Sequence, residues 1–139
     1  MKYLKLILLL TIGISLISCS DDDSPNNSEE EVIELLIGNW QPLLRLDSNE
    51  TFIYDDCGKQ GRLIFNRNGN FSLIGYEENN ENECVEFTNS TGNWKNVTFE
   101  MYELTQNNNS GTIRISFIGT DKMRTYEAEE DYTEYQRTE

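Results

Sequence analysis

Arg62-Leu63-Ile64-Phe65-Asn66-Arg67-Asn68-Gly69-Asn70-Phe71-Ser72-Leu73-Ile74-Gly75-Tyr76 is the stretch that decides the fold. Two apolar runs, Arg62 to Phe65 and Phe71 to Tyr76, flank the polar segment Asn66 to Asn70. Asn68-Gly69 between such runs predicts a β-hairpin, because both residues tolerate positive φ. The same grammar continues downstream. Gly92 to Leu104 carries Trp94, then Val97, Phe99 and Met101 at period two, with Thr98 and Glu100 alternating. An asparagine-rich turn over Gln106 to Gly111 precedes the alternating Ile113, Ile115 and Phe117. Gly119 to Lys122 turns into Met123 to Ala128, and Glu129-Glu130-Asp131 turns into a closing strand from Tyr132 to Arg137. Upstream, Gly38 to Leu46 reads as the first strand, with Trp40, Leu44 and Leu46 facing one way. Pro42 lacks an amide hydrogen and demands an edge or a bulge there.

Short strands, each followed by its own turn, predict an all-β antiparallel meander. No connection is long enough for a parallel crossover. A meander of this length hides its edges by closing into a small up-and-down barrel of about eight strands or by packing as a two-sheet sandwich. The barrel is the first expectation. One short helix precedes it: Ser28-Glu29-Glu30-Glu31 reads as a capping box, Val32, Leu35 and Leu36 share a helical face, and Gly38 can end it.

The N-terminus predicts export. Lys2 and Lys5 precede an apolar run from Leu6 to Ile17, 12 residues long. A membrane-spanning helix needs ~20, whereas this length behind a basic front suits a signal peptide. Leu16-Ile17-Ser18-Cys19 resembles the bacterial lipobox, which implies cleavage before Cys19 and lipidation of that cysteine. Several acyl chains anchor firmly, at ~0.8 kcal/mol per buried CH₂. The expected organisation is a signal peptide over 1–18, a lipidated cysteine with an acidic flexible tether over 19–28, and one folded domain over 29–139. Acidic residues such as Asp21, Asp22 and Asp23 behind the lipid site resemble the surface-export signal of Bacteroidetes-type lipoproteins; a generic polar linker is the alternative reading. The expected location is the cell envelope, at the outer membrane on its periplasmic or surface-exposed face.

The chain has 25 acidic and 11 basic residues and no histidine. Cleavage removes Lys2 and Lys5, leaving a formal charge of −16. Such a chain is repelled by phosphate backbones, so nucleic acid is not an expected partner. Without histidine the commonest general base is missing. The carboxylates of Asp55-Asp56, Glu77-Glu78 and Glu81/Glu83 could stand in, but adjacent strand residues point to opposite faces, and in loops these groups are solvated charge. No EF-hand spacing organises them for calcium. The expectation is a protein that is not an enzyme and holds no metal or cofactor.

With Cys19 lipidated, Cys57 and Cys84 are the cysteines left. In an oxidising compartment they read as a disulfide. The loop of roughly 28 residues would stabilise the fold by roughly 3–4 kcal/mol on the chain-entropy account. Two free thiols are the alternative, and two cysteines without histidine make only half of a zinc site.

Ile37-Gly38-Asn39-Trp40 resembles the Gly-x-Trp that opens lipocalin barrels. The hairpin over Leu63 to Phe71, Asp56-Cys57 before it, Cys84 after it, Thr91-Gly92-Asn93-Trp94, and the closing Tyr132 to Arg137 follow in the order of small lipocalin-like domains of Bacteroidetes lipoproteins. The resemblance spans Ile37 to Arg137. It implies that Arg137 packs over Trp40 at the barrel base. It also makes Phe65, Phe71, Trp94, Phe99 and Phe117 candidates to line a cavity for a small hydrophobic ligand, the membrane-anchored binding role. Short strands with many large side chains could instead fill the barrel. The alternative function is then an envelope interaction module, such as a protease inhibitor or an accessory lipoprotein. The loops Asn79 to Glu83 and Gln106 to Ser110 are polar and lack aromatic anchors for a protein partner.

Overall fold

The computed structural model describes residues 29–139. The expected signal peptide, the lipid site at Cys19, the tether and the Ser28 cap lie outside the described residues. A helix α1 (Glu29–Leu36) leads into nine strands: β1 (Gly38–Asp47), β2 (Glu50–Ile53), β3 (Arg62–Phe65), β4 (Asn70–Glu78), β5 (Cys84–Thr98), β6 (Met101–Gln106), β7 (Asn109–Ile118), β8 (Lys122–Tyr126) and β9 (Tyr132–Thr138). All pairings are antiparallel. The sheet runs β2-β1-β3-β4-β5-β6-β7-β8-β9 and closes through β1–β9, giving an eight-stranded barrel with β2 as an extra strand. Trp40 opposes Arg137 across the closing pair.

Turn chemistry sets the register. Ser48 and Asn49 take positive φ (51° and 68°), as do Asn107 and Asn108 (50° and 64°). Each pair therefore makes a tight two-residue hairpin whose twist matches its strands. At the deciding hairpin Gly69 has φ +83° while Asn68 stays at negative φ, so the glycine alone supplies the left-handed position. Asn66 closes that turn, donating to the Asn70 carbonyl and accepting from Gly69 N–H.

Two bulges change the expected faces. The β1–β9 register shifts between Pro42 and Leu44. Past that point Leu44 opposes Glu134 and Arg45 opposes Thr133. Leu44 and Leu46 therefore face away from Trp40, contrary to the simple alternation, and Arg45 takes the inner face. A second shift falls between Asn96 and Thr98. It interrupts the period expected over Val97, Phe99 and Met101, which the β5–β6 turn divides.

The core fills the lower barrel. Leu36, Trp40, Leu63, Phe65, Phe71, Trp94, Tyr102, Ile115 and Met123 form one buried cluster. Phe65 meets the edge of Trp94 at 5.9 Å, and Trp94 lies 6.2 Å from Tyr102. Each large side chain so buried stabilises the fold by about 1.5–3 kcal/mol. Trp94 anchors the deciding hairpin, its indole N–H donating to Asn66 O at 3.1 Å. Helix α1 caps this end with Val32 and Leu36, and Arg67 in the hairpin turn pairs with Glu34 on the helix.

Candidate functional site

The two barrel ends differ. The β3–β4, β5–β6 and β7–β8 turns lie at the base with α1. There Arg137 reaches in from β9. Its guanidinium sits 4.3 Å from the Trp40 ring centroid. It donates to Ile37 O at 2.7 Å, to Thr120 O at 2.9 Å and to Leu35 O. Trp40 Nε1 donates to Leu36 O at 2.9 Å. The last turn of α1 contains no basic residue of its own. Its free carbonyls thus receive a cation from the other end of the chain. A Cβ on Gly38 would come within 2.6 Å of the Arg137 guanidinium, so the side chain needs glycine there.

The β1–β2, β4–β5, β6–β7 and β8–β9 connections surround the opposite end, the mouth. Strand β3 pairs with β1 and with Phe71 to Ile74 of β4, and among the described residues β2 pairs with β1 alone. Along β1 the connection 54–61 stands between β2 and β3 and packs on β1 and β4, completing the wall there. That connection is pinned by the Cys57–Cys84 disulfide, with Cα atoms 5.5 Å apart. Asp55 accepts from Gly58 N–H at 2.7 Å, and Gln41 donates to Lys59 O.

A cleft of about 320 Å³ opens here, lined among others by Pro42, Arg45, Tyr54, Leu73, Phe87 and Tyr135. A second lobe of about 440 Å³ meets it at Leu73 and continues past Phe71, Ser90, Leu104 and Gly111. Among the described residues none that lines this second lobe is charged, in a chain of net charge −14. Open space lies where a Cβ on Gly111 would stand. The rim of the first lobe is tied by Arg45, 3.0 Å from Glu127 and 3.4 Å from Asp47. Ser48 N–H donates to Asp131 at 2.9 Å, joining the β1–β2 turn to the β8–β9 connection. Tyr135 lines the cleft, and burial pushes its phenol well above the ordinary value, reinforced by Tyr54.

The aromatic candidates divide. Phe65, Phe71 and Trp94 are buried in the base cluster, and Phe117 packs against it 6.1 Å from Trp40. They fill the interior, and Phe71 also lines the second lobe. Phe99 faces solvent in the β5–β6 turn at the base, 66% exposed, one residue beyond the end of β5 at Thr98. The mouth residues Leu73, Phe87 and Tyr135 were not singled out in the sequence. The acidic pairs do not converge. Asp55 holds Gly58, Glu77 and Glu78 are exposed at the end of β4, and the Glu81 and Glu83 amides donate to Asn79. The rim also shows apolar surface, with Phe52 53%, Ile53 75% and Phe87 59% exposed.

No family model matches the chain, and no curated protein is similar to it in sequence. Solved structures are similar in fold. A lipocalin-like protein from Bacteroides uniformis superposes with a TM-score of 0.55 at 14% identity, covering 75% of this chain and 99% of that one. An uncharacterized protein from Bacteroides eggerthii gives 0.53 at 12% identity, covering 74% and 99%. The closed antiparallel barrel, led by helix α1 and alike in fold to these Bacteroides structures, has the lipocalin-like fold.

Proposed function

We propose that this is a lipid-anchored envelope protein that holds the apolar part of a small molecule in the mouth of its barrel. The observation that carries this is the division of the barrel: large side chains fill the base, while two clefts meeting at Leu73 leave the mouth open. Small-molecule sites are concave, mostly apolar and equipped with a few placed polar groups. Leu73, Pro42, Phe87 and Tyr135 supply the apolar wall, and Arg45, Ser90 and Gln106 the polar groups. The role is binding without catalysis, and the acidic surface argues against nucleic acid as a partner.

The anchor belongs to the same reading. Helix α1 enters at the base, so a lipid on Cys19 would set the base toward the bilayer and the mouth away from it. Cys19→Ser should move the protein from the outer-membrane fraction to a soluble one. For the site, the neutral fluorophore N-phenyl-1-naphthylamine is the probe. Its emission should rise with the wild type and stay low with Leu73→Arg and Gly111→Leu. Equal emission from all three proteins would place the dye elsewhere and end the mouth reading.

An envelope interaction module is the second reading, favoured by the exposed Phe52 and Ile53 on β2.

A further inference from the structure

We propose that the outer edge of β2 docks an extended, basic segment of a partner protein, which joins the barrel as an added strand. This deepens the interaction reading and is independent of any ligand in the clefts.

Strand β2 pairs with β1 and with no other described strand. The two-residue turn makes Asp47 and Glu50 the first hydrogen-bonded pair of the hairpin. Bonding toward β1 then recurs at every second residue, Glu50, Phe52 and Tyr54. The Tyr54 N–H bond to Leu43 O at 3.0 Å has this parity. Thr51 and Ile53 consequently turn their N–H and C=O groups outward, where a further strand would find them.

The side chains suit a strand partner. All four β2 residues are exposed. Natural edges are blunted by shortness, charge, proline or bulges; this one is short and begins with Glu50, but it has no lysine, proline or bulge and carries Thr51, Phe52 and Ile53 in sequence. The edge is also held in place: the Arg45 pairs with Asp47 and Glu127, and the Ser48–Asp131 bond, fix the hairpin from which it extends. Pre-ordering lowers the entropic cost of docking.

Charge selects the occupant. Glu50 opens the strand and Asp56 lies just beyond it, while Asp47 shares Arg45 with Glu127 and Asp55 accepts from Gly58 N–H, so the acids outnumber the one paired cation. A segment alternating lysine or arginine with β-branched residues matches both the acids and the exposed apolar groups. A second copy of this chain brings the same acids to the same edge and is disfavoured by like charge.

The test uses the full chain in neutral detergent and a synthetic Lys-Val-Lys-Val-Lys-Val-Lys peptide, read by amide hydrogen exchange. Exchange at Thr51 and Ile53 should slow about tenfold when the peptide stands at about ten times its dissociation constant. High salt should weaken the effect. A peptide of the same sequence with alternate backbone nitrogens methylated, which cannot complete a ladder, should give none. Thr51→Pro should abolish it while β6 and β7 keep their protection. Should that variant unfold, the methylated peptide still decides. Unchanged exchange at Thr51 and Ile53, equal slowing by a Glu-Val peptide, or concentration-dependent slowing without peptide would each overturn the proposal, the last by naming a second copy as the occupant.

Discussion

Arg137 and Trp40, 97 positions apart in sequence, are opposed residues of the strand pair that closes the barrel, with the guanidinium 4.3 Å from the ring centroid. One side chain joins β9 to β1, to the C-terminus of α1 through Leu35 and Ile37, and to the β7–β8 turn through Thr120. Arg137→Ala is expected to cost about 2–4 kcal/mol, since it removes a cation–π contact and several charge-assisted bonds. Arg137→Lys should recover only part of this, because an ammonium lacks the planar fork. Urea unfolding followed by tryptophan fluorescence checks both.

The disulfide closes a loop of sequence separation 27 and ties the connection before β3 to the start of β5. Cys57→Ala with Cys84→Ala is expected to lower stability by about 3–4 kcal/mol. The connection 54–61 should lose hydrogen-exchange protection before the base does, as it completes the wall with few contacts of its own.

Gly92 and Gly111 give a contrasting pair. A Cβ on Gly92 would lie 2.2 Å from Thr105 O and 2.7 Å from the Phe71 ring, whereas at Gly111 it meets nothing within 4 Å. Gly92→Ala is expected to destabilise by about 1–3 kcal/mol or more through overpacking. Gly111→Ala should leave stability within about 0.5 kcal/mol of wild type. Paired denaturant curves decide it.

Stability should fall in alkali. Burial raises the phenols of Tyr102 and Tyr135 in the folded chain above their ordinary value. The unfolded chain therefore releases these protons first. The stability that their protonated forms contribute is whole below pH ~10 and is lost as pH climbs beyond it. Tyr135→Phe should flatten the alkaline limb of a stability–pH curve. Tyr102→Phe should do so as well at no loss near neutrality, because the Tyr102 hydroxyl finds no hydrogen-bond partner among the described residues, its cross-strand neighbour Asn96 donating to Thr98 O instead.

The barrel was legible because its punctuation is local. Asn68-Gly69, the asparagines at 107–109 and the alternation through Ile113, Ile115 and Phe117 act over a few residues. Where tertiary structure intervenes, local periodicity no longer fixes the face. The bulges near Leu43 and Val97 each insert one residue, reversing Leu44 and Leu46 and stranding Phe99 in a turn. Strand β2 is four residues long, and the first half of β5, Cys84 to Thr91, is too polar to announce itself. The mouth was not legible. Leu73, Phe87 and Tyr135 converge through strand tilt and a gap in the wall filled by 54–61, and neither leaves a mark on periodicity.

A small molecule held at the mouth is detected by native mass spectrometry. The domain would be purified from its own host membranes and released by proteolysis within residues 19–28. The expected result is a reproducible extra mass that departs on denaturation and is missing from Leu73→Arg. A bare mass from the wild type, or an adduct carried equally by Leu73→Arg, would contradict it.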